Sequence, residues 1–174
     1  LVIGCNLLQK NKCKFITIPC NTAHYWFGDL QKKIKIPILN MPQEVYIHAK
    51  KNCKINSRIG LLATETTIKT KIYDKFFEEK FDLICPIKRV QISNVNKCIK
   101  LVKMGKIKEA EKAIKPAVKH LIQNKCKKII LGCTELPIAI FAFKSFKKIK
   151  MSKIFLDPNL ILAKSSINKI KTIS

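Results

Sequence analysis

The chain has 174 residues, 47% of them hydrophobic, enough for one domain or two small ones with a real core, which excludes global disorder. The net charge of +24 raises a nucleic acid or anionic surface as partner, but the only arginines are Arg58 and Arg89 and the lysines are scattered over nearly every helical segment. A solvated charged surface is the better reading, and nucleic acid is an unlikely partner.

In chain order, Leu1 to Lys12 reads as a helix that feeds a strand at Phe15 to Ile18. Further β-branched runs lie at Ile36 to Leu39, Ile59 to Ala63, Leu83 to Cys85, Lys128 to Leu131 and Lys153 to Leu156. Between them, helical spacing covers Ala23 to Lys33, Gln43 to Asn52, Ile68 to Lys80, Asn94 to Met104, Lys108 to Lys125 and Asn159 to Lys171. Pro116 is expected to kink the Lys108 to Lys125 helix or split it in two. Alternating strands and helices predict an α/β fold with a parallel sheet, its strands nearly continuous in apolar residues, as expected where both faces are covered. The longest apolar run, Leu136 to Phe143, is far short of the roughly 20 residues a spanning helix needs, so no membrane partner is expected. No signal peptide is visible, which makes a cytoplasmic setting the expectation. The chain begins at Leu1 rather than methionine, so an upstream start is expected as well.

Of eight cysteines, none pairs at C-x-x-C spacing, and His24, His48 and His120 do not fall at metal-site spacing, so no metal is expected. Most of these cysteines read as small buried hydrophobes. Cys20 and Cys133, 113 positions apart, differ. Each follows an apolar run and precedes a threonine and a helix-like stretch: FITIPCNTAH at 15 to 24, and KKIILGCTEL at 127 to 136. In parallel sheets ligands bind at the carboxyl ends of strands, beside helix N-termini. Asn21 or Thr22 could cap the first following helix and Thr134 the second, and such a place lowers a thiol pKa. Thr64 and Thr67, in a third loop after Gly60 to Ala63, could hold a carboxylate or form an ordinary helix cap.

PCNTAH at Pro19 to His24, GLLAT followed by Thr67, and GCTE at Gly132 to Glu135 resemble the aspartate/glutamate racemase superfamily. Their order and spacing, with His24 and Glu135 where glutamate racemases usually carry serine and histidine, resemble its aspartate or broad-specificity branch. The likeness runs to Leu156-Asp157-Pro158. It implies two related Rossmann-like α/β domains with the active site in the cleft between them. Residues 1–40 plus 151–174 would form a partial first domain, and 41–150 the second. The family's opening glycine-rich loop and substrate-binding arginine have no counterpart after Leu1, so the first domain is expected to be N-terminally truncated, and the activity of this length alone is in question.

The resemblance further implies a racemase without pyridoxal phosphate or any other cofactor, acting on a small acidic amino acid, aspartate or glutamate, as a homodimer. Cys20 and Cys133 would be the catalytic pair, one thiolate removing the α-proton while the opposing thiol delivers another. Asn21, Thr22, Thr64, Thr67, Lys103, Thr134 and Glu135 would bind substrate, with Lys103 facing the side-chain carboxylate. Glu135 and His24 could orient the thiols or cap helices. Alternatives on the residues alone are another isomerase or lyase on the same scaffold, and a basic nucleic-acid-binding module.

Overall fold

The computed structural model describes residues 1–142 and 153–173. The expected domain division between residues 150 and 151 therefore lies outside the described residues, as does Phe143 of the longest apolar run.

Helix α1 (Val2–Lys10) leads into β1 (Ile16–Thr17), a 3-10 turn (Thr22–Trp26) and α2 (Phe27–Lys33), then β2 (Ile38–Leu39) and α3 (Met41–Asn52). β1 and β2 pair in parallel, with Ile16 beside Ile38. These two isoleucines close a small core with Cys5, Leu30 and Ile34.

The larger sheet holds β3 (Arg58–Ala63), β4 (Asp82–Ile84), β5 (Lys128–Gly132) and β6 (Phe155–Leu156) in the order β4-β3-β5-β6, every neighbouring pair parallel. Side chains alternate between its faces, as the period of two requires. Leu62, Ile129 and Leu131 meet Val102, Ile114, Val118, Leu121 and Leu136 on one side. Ile59, Leu61, Ala63 and Ile130 meet Val45, Tyr73, Phe77 and Ile161 on the other. The helices that cover these faces are α7 (Lys97–Lys103), α8 (Ile107–Gln123) and α9 (Glu135–Phe141) on the first, and α3, α5 (Asp74–Phe77) and α10 (Pro158–Ile173) on the second. Both faces are covered, as the apolar strands predicted.

Three helical segments differ from the sequence reading. Pro116 does not split α8, which runs unbroken from Ile107 to Gln123 with Pro116 inside it. Ala110, Ile114, Ala117, Val118 and Leu121 are all buried, so apolar contact on both sides of Pro116 holds the helix together across the missing N–H. The segment predicted at 68–80 is two short helices, α4 (Glu65–Lys69) and α5, separated by Lys71 at φ 51°. The segment predicted at 94–104 opens earlier, with α6 (Lys88–Val90) and a π-turn (Gln91–Asn96), before α7.

One register places the site. Ala63, the last residue of β3, sits beside Gly132, the last of β5. Thr64 and Cys133 are the next residues on adjacent strands, at one carboxyl edge. A Cβ at Gly132 would lie 3.0 Å from Ala63 Cβ and Leu61 Cδ1 and 3.3 Å from the Leu62 carbonyl, so a side chain there would force its neighbours to give way.

Candidate active site

The two cysteines leave their strands in the same way. The N–H of Cys20 donates to the Ile18 carbonyl at 2.8 Å, and the N–H of Cys133 to the Leu131 carbonyl at 2.8 Å. Each is a three-residue turn, about Pro19 in one and Gly132 in the other, of the kind that ends strands. The sequence echo is thus an echo in the backbone. The surroundings differ: Cys20 is exposed and Cys133 buried.

Three hydroxyls bring the Cys20 loop to the edge of the larger sheet. Thr22 Oγ1 lies 2.8 Å from Thr67 Oγ1 and 3.4 Å from Thr64 Oγ1, and Thr64 Oγ1 donates to Thr67 Oγ1 at 2.9 Å. Thr64 also accepts the Thr67 N–H at 3.2 Å, so it is a true cap of α4. Neighbouring Asn21 is buried, and its Oδ1 accepts from the Tyr73 hydroxyl. Its Nδ2 has no hydrogen-bond partner among the described residues, which leaves a buried donor beside Cys20 without an acceptor.

On the other strand, the Cys133 thiol donates to Glu135 Oε2 at 2.9 Å, and the Thr134 hydroxyl donates to the same oxygen at 2.9 Å. Lys103 Nζ is 3.6 Å from the second oxygen, Oε1. Lys103 also lines a cavity of about 320 Å³ together with Thr64, Asn96, Ile99, Lys100 and Met104. Thr64 and Lys103 therefore belong to one depression beside Cys133.

The capping and pKa expectations need correction. Asn21 and Thr134 stand at the helix starts, but neither makes a side-chain cap bond. Thr134 instead donates its hydroxyl to the Glu135 carboxylate, a charge-assisted bond that orients its side chain. The following helices, of five and seven residues, offer little dipole. The Cys133 thiol is not acidified: burial, then its bond to Glu135 and the charge of that carboxylate, push its pKa up to about 12. Glu135 moves the other way. Burial works to raise it, but the donors of Cys133 and Thr134, with Lys103 nearby, hold it below the usual carboxylate range. The pair rests as a thiol and a carboxylate.

All nine expected site residues thus fall in two linked groups, Cys20-Asn21-Thr22 with Thr64 and Thr67, and Cys133-Thr134-Glu135 with Lys103. Four residues that hold them carried no sequence signal. Besides Tyr73, Gln91 Nε2 donates to the Ala63 carbonyl at 2.9 Å and to Asn96 Oδ1 at 2.9 Å, and Asn96 Nδ2 donates to Glu65 Oε1 at 2.6 Å. Gln91 and Asn96 are the two ends of the π-turn, five residues apart. Among the described residues no group of three or more His, Cys, Asp or Glu side chains could hold a metal ion, and no helix is long and apolar enough to cross a membrane.

Known proteins resemble this chain in sequence and fold. The family model for Asp/Glu/hydantoin racemases matches residues 1–165. A glutamate racemase from Carboxydothermus hydrogenoformans (strain ATCC BAA-161 / DSM 6008 / Z-2901) is 25% identical over 98% of this chain and 63% of its own length. A broad-specificity amino-acid racemase from Bacillus subtilis (strain 168) is 26% identical over 97% of this chain and 70% of its own. The solved structure of Picrophilus torridus aspartate racemase superposes with a TM-score of 0.75 at 27% identity, covering 95% of this chain and 66% of that one. The chain thus spans about two thirds of the length of these relatives. A family match over almost the entire length, on an α/β fold whose two cysteines leave their strands by the same turn, makes this chain a member of the Asp/Glu/hydantoin racemase family.

Proposed function

We propose that the chain carries the catalytic thiols of a cofactor-independent racemase that interconverts the enantiomers of aspartate or glutamate. The observation that carries the reading is the convergence of the two matched turns: the Ala63–Gly132 rung sets Thr64 beside Cys133, and the Thr22–Thr67 bond brings the Cys20 loop to that edge. Membership of the family supports it, and neither a lyase nor a nucleic-acid-binding module is favoured.

The resting proton inventory supports a direction. Cys133 holds its proton against the Glu135 carboxylate, so it is assigned as the acid, and Cys20, whose thiol has no such carboxylate two residues on, is assigned as the base. The Cys20 thiolate takes the α-proton, and the electron pair of the C–H bond moves into the α-carboxylate. The Cys133 thiol then delivers its proton to the opposite face of Cα and becomes the thiolate. From the other enantiomer the two roles are exchanged. Charge that develops on the carboxylate needs prepared donors. The unpartnered Nδ2 of Asn21 and the hydroxyls of Thr22, Thr64 and Thr67 are assigned to it, Lys103 to the side-chain carboxylate, and Thr134 and Glu135 to the Cys133 thiol and the substrate beside it. A homodimer in the cytoplasm belongs to the same reading. So does a division into residues 1–40 plus 151–174 and residues 41–150, in which the β5–β6 ladder ties the returning segment to the second sheet.

Circular dichroism at a fixed wavelength with L-aspartate and L-glutamate tests the reaction, and solvent deuterium should enter Cα during turnover. Cys20→Ala and Cys133→Ala are each expected to abolish racemisation while the far-ultraviolet spectrum stays unchanged. Full turnover in either variant refutes the two-base reading.

A further inference from the structure

We propose that His24 is the positioning residue of Cys20: as a neutral imidazole it ties the Cys20 carbonyl to the first amide of α3, and gaining a second proton breaks the tie. The inference rests on the reading of Cys20 as a catalytic thiol.

The tautomer follows from the partners. The Met41 N–H can only donate, and it reaches His24 Nε2 at 3.0 Å, so Nε2 carries no proton. Nδ1 lies 2.9 Å from the Cys20 carbonyl, which can only accept, so Nδ1 carries it. The ring is buried and stacks on Phe27, with centroids 6.2 Å apart and planes at 13°.

The same bond completes the N-terminus of α3. Met41 is its first residue, Pro42 has no N–H, and the Gln43 N–H donates to Asn40 Oδ1 at 3.3 Å. Met41 would be the orphan donor of the first turn, and a side chain 17 positions earlier supplies its acceptor. One imidazole therefore satisfies a helix terminus and fixes the carbonyl of the residue whose thiol must meet a substrate Cα. The loop that carries Cys20 has no strand partner at that point, so it takes its position from this ring, from the Thr22 hydroxyl and from Asn21.

A second proton reverses the arrangement at Nε2. The Leu39 carbonyl is 3.4 Å away and unusable while Nε2 is bare. In the imidazolium it becomes the acceptor, and the Met41 N–H loses its own. The α3 N-terminus also opposes a positive charge at that point. Burial lowers the His24 pKa, against the carbonyls of Cys20, Leu39 and Asn21, which raise it. The titratable and charged groups on the elements packed here are Cys20 and Tyr25 beside it in sequence, Asp29, Lys32 and Lys33 on α2, Glu44, Tyr46, His48, Lys50 and Lys51 on α3, and Glu65 and Lys69 on α4, and Glu44 is bonded to Ser165 Oγ at 2.7 Å. The tie therefore holds at neutral pH and is lost as pH falls below the ordinary histidine range.

Nitrogen-15 NMR of the histidine-labelled full chain, with His24 assigned by its loss in His24→Gln, reads the tautomer. The expected result is a protonated Nδ1 and a bare Nε2 at neutral pH, titrating below 6.5, with the Cys20 and Met41 amide resonances following the same midpoint. Alkylation of Cys20 by iodoacetamide, read by peptide mass spectrometry, should run at least about threefold faster in His24→Ala, as the loop is freed. His24→Gln, whose amide can donate to Cys20 and accept from Met41, should restore the wild-type rate and remove the pH-dependent shift of both amides. A protonated Nε2 at neutral pH, amides that do not follow the ring, or equal alkylation in wild type and His24→Ala overturns the proposal. None of these readouts needs turnover, so a chain that passes them and still leaves L-aspartate and L-glutamate unchanged counts against the racemase reading alone.

Discussion

Glu135→Gln tests the arrangement around the buried thiol most directly. The Cys133 pKa stands at about 12 against an ordinary 9.0, a displacement worth about 4 kcal/mol at about 1.4 kcal/mol per pH unit. Burial is the largest cause, and the hydrogen bond to Glu135 and the charge of that carboxylate come next. The amide keeps the size and an acceptor oxygen but removes the negative charge, and it leaves Lys103 without its carboxylate partner. Burial remains. The substitution should therefore recover the lesser share, lowering the Cys133 pKa by about one unit and raising the thiolate fraction at pH 8 about tenfold. The assay is the pH dependence of iodoacetamide alkylation at the Cys133 peptide, resolved by mass spectrometry from the other seven cysteines. An unchanged or higher midpoint would show that the carboxylate does not hold the proton on sulfur, and the acid role of Cys133 would fall with it.

Three further outcomes follow from the packing. Tyr73→Phe should cost about 1–3 kcal/mol in urea unfolding, because it leaves the buried Asn21 Oδ1 without its donor while Nδ2 is already unpartnered. An unchanged midpoint would show that the Asn21 amide is not held by Tyr73. Gly132→Ala should destabilise by about 1–3 kcal/mol, since the new methyl meets Ala63 Cβ and Leu61 Cδ1 at 3.0 Å across the β3–β5 ladder; a neutral result would refute the close approach. Thermal stability should also fall in alkali. The folded pKa values of Cys98, Cys126 and Cys133 are raised to about 12, 11 and 12. Their contribution is complete below the ordinary thiol value of 9.0 and lost as pH rises through 11 to 12, at up to about 1.4 kcal/mol per pH unit for each thiol. Cys98→Ala should flatten that decline, and an unaltered slope between pH 9 and 11 would contradict it.

The larger architecture was legible because its cause is local. Runs such as Ile59 to Ala63 and Ile129 to Leu131 are apolar at every position, which only a strand covered on both faces requires, and the intervening segments bury one face each. The cysteine turns were legible for the same reason: a strand end, a proline or glycine and a polar residue are all neighbours in sequence. What escaped depended on register. Nothing near Tyr73 in sequence announces Asn21, 52 positions away, and nothing near Gln91 announces the Ala63 carbonyl. Pro116 misled because helix propensity weighs the missing N–H but not the buried side chains on either side of it.

The deepest gap between the two levels concerns symmetry. In sequence, Cys20 and Cys133 are equivalents, and their backbone turns agree to the same 2.8 Å bond. Two identical thiols would both carry protons near neutrality, and a reaction that needs one base and one acid would have neither role assigned. The structure breaks the tie outside the turns. Glu135, two residues beyond Cys133, folds back to hold that proton, whereas the residue two beyond Cys20 is Thr22, whose hydroxyl is committed to Thr67. Cys20 instead has its carbonyl held by His24 and its thiol left exposed. The division of labour is set by burial and by what stands just past each sulfur, and it is strongest while the carboxylate of Glu135 is charged. As pH falls through the depressed Glu135 pKa, the neutral carboxyl stops adding to the burial that holds the proton on Cys133, and the asymmetry between the two thiols shrinks to what burial alone supplies.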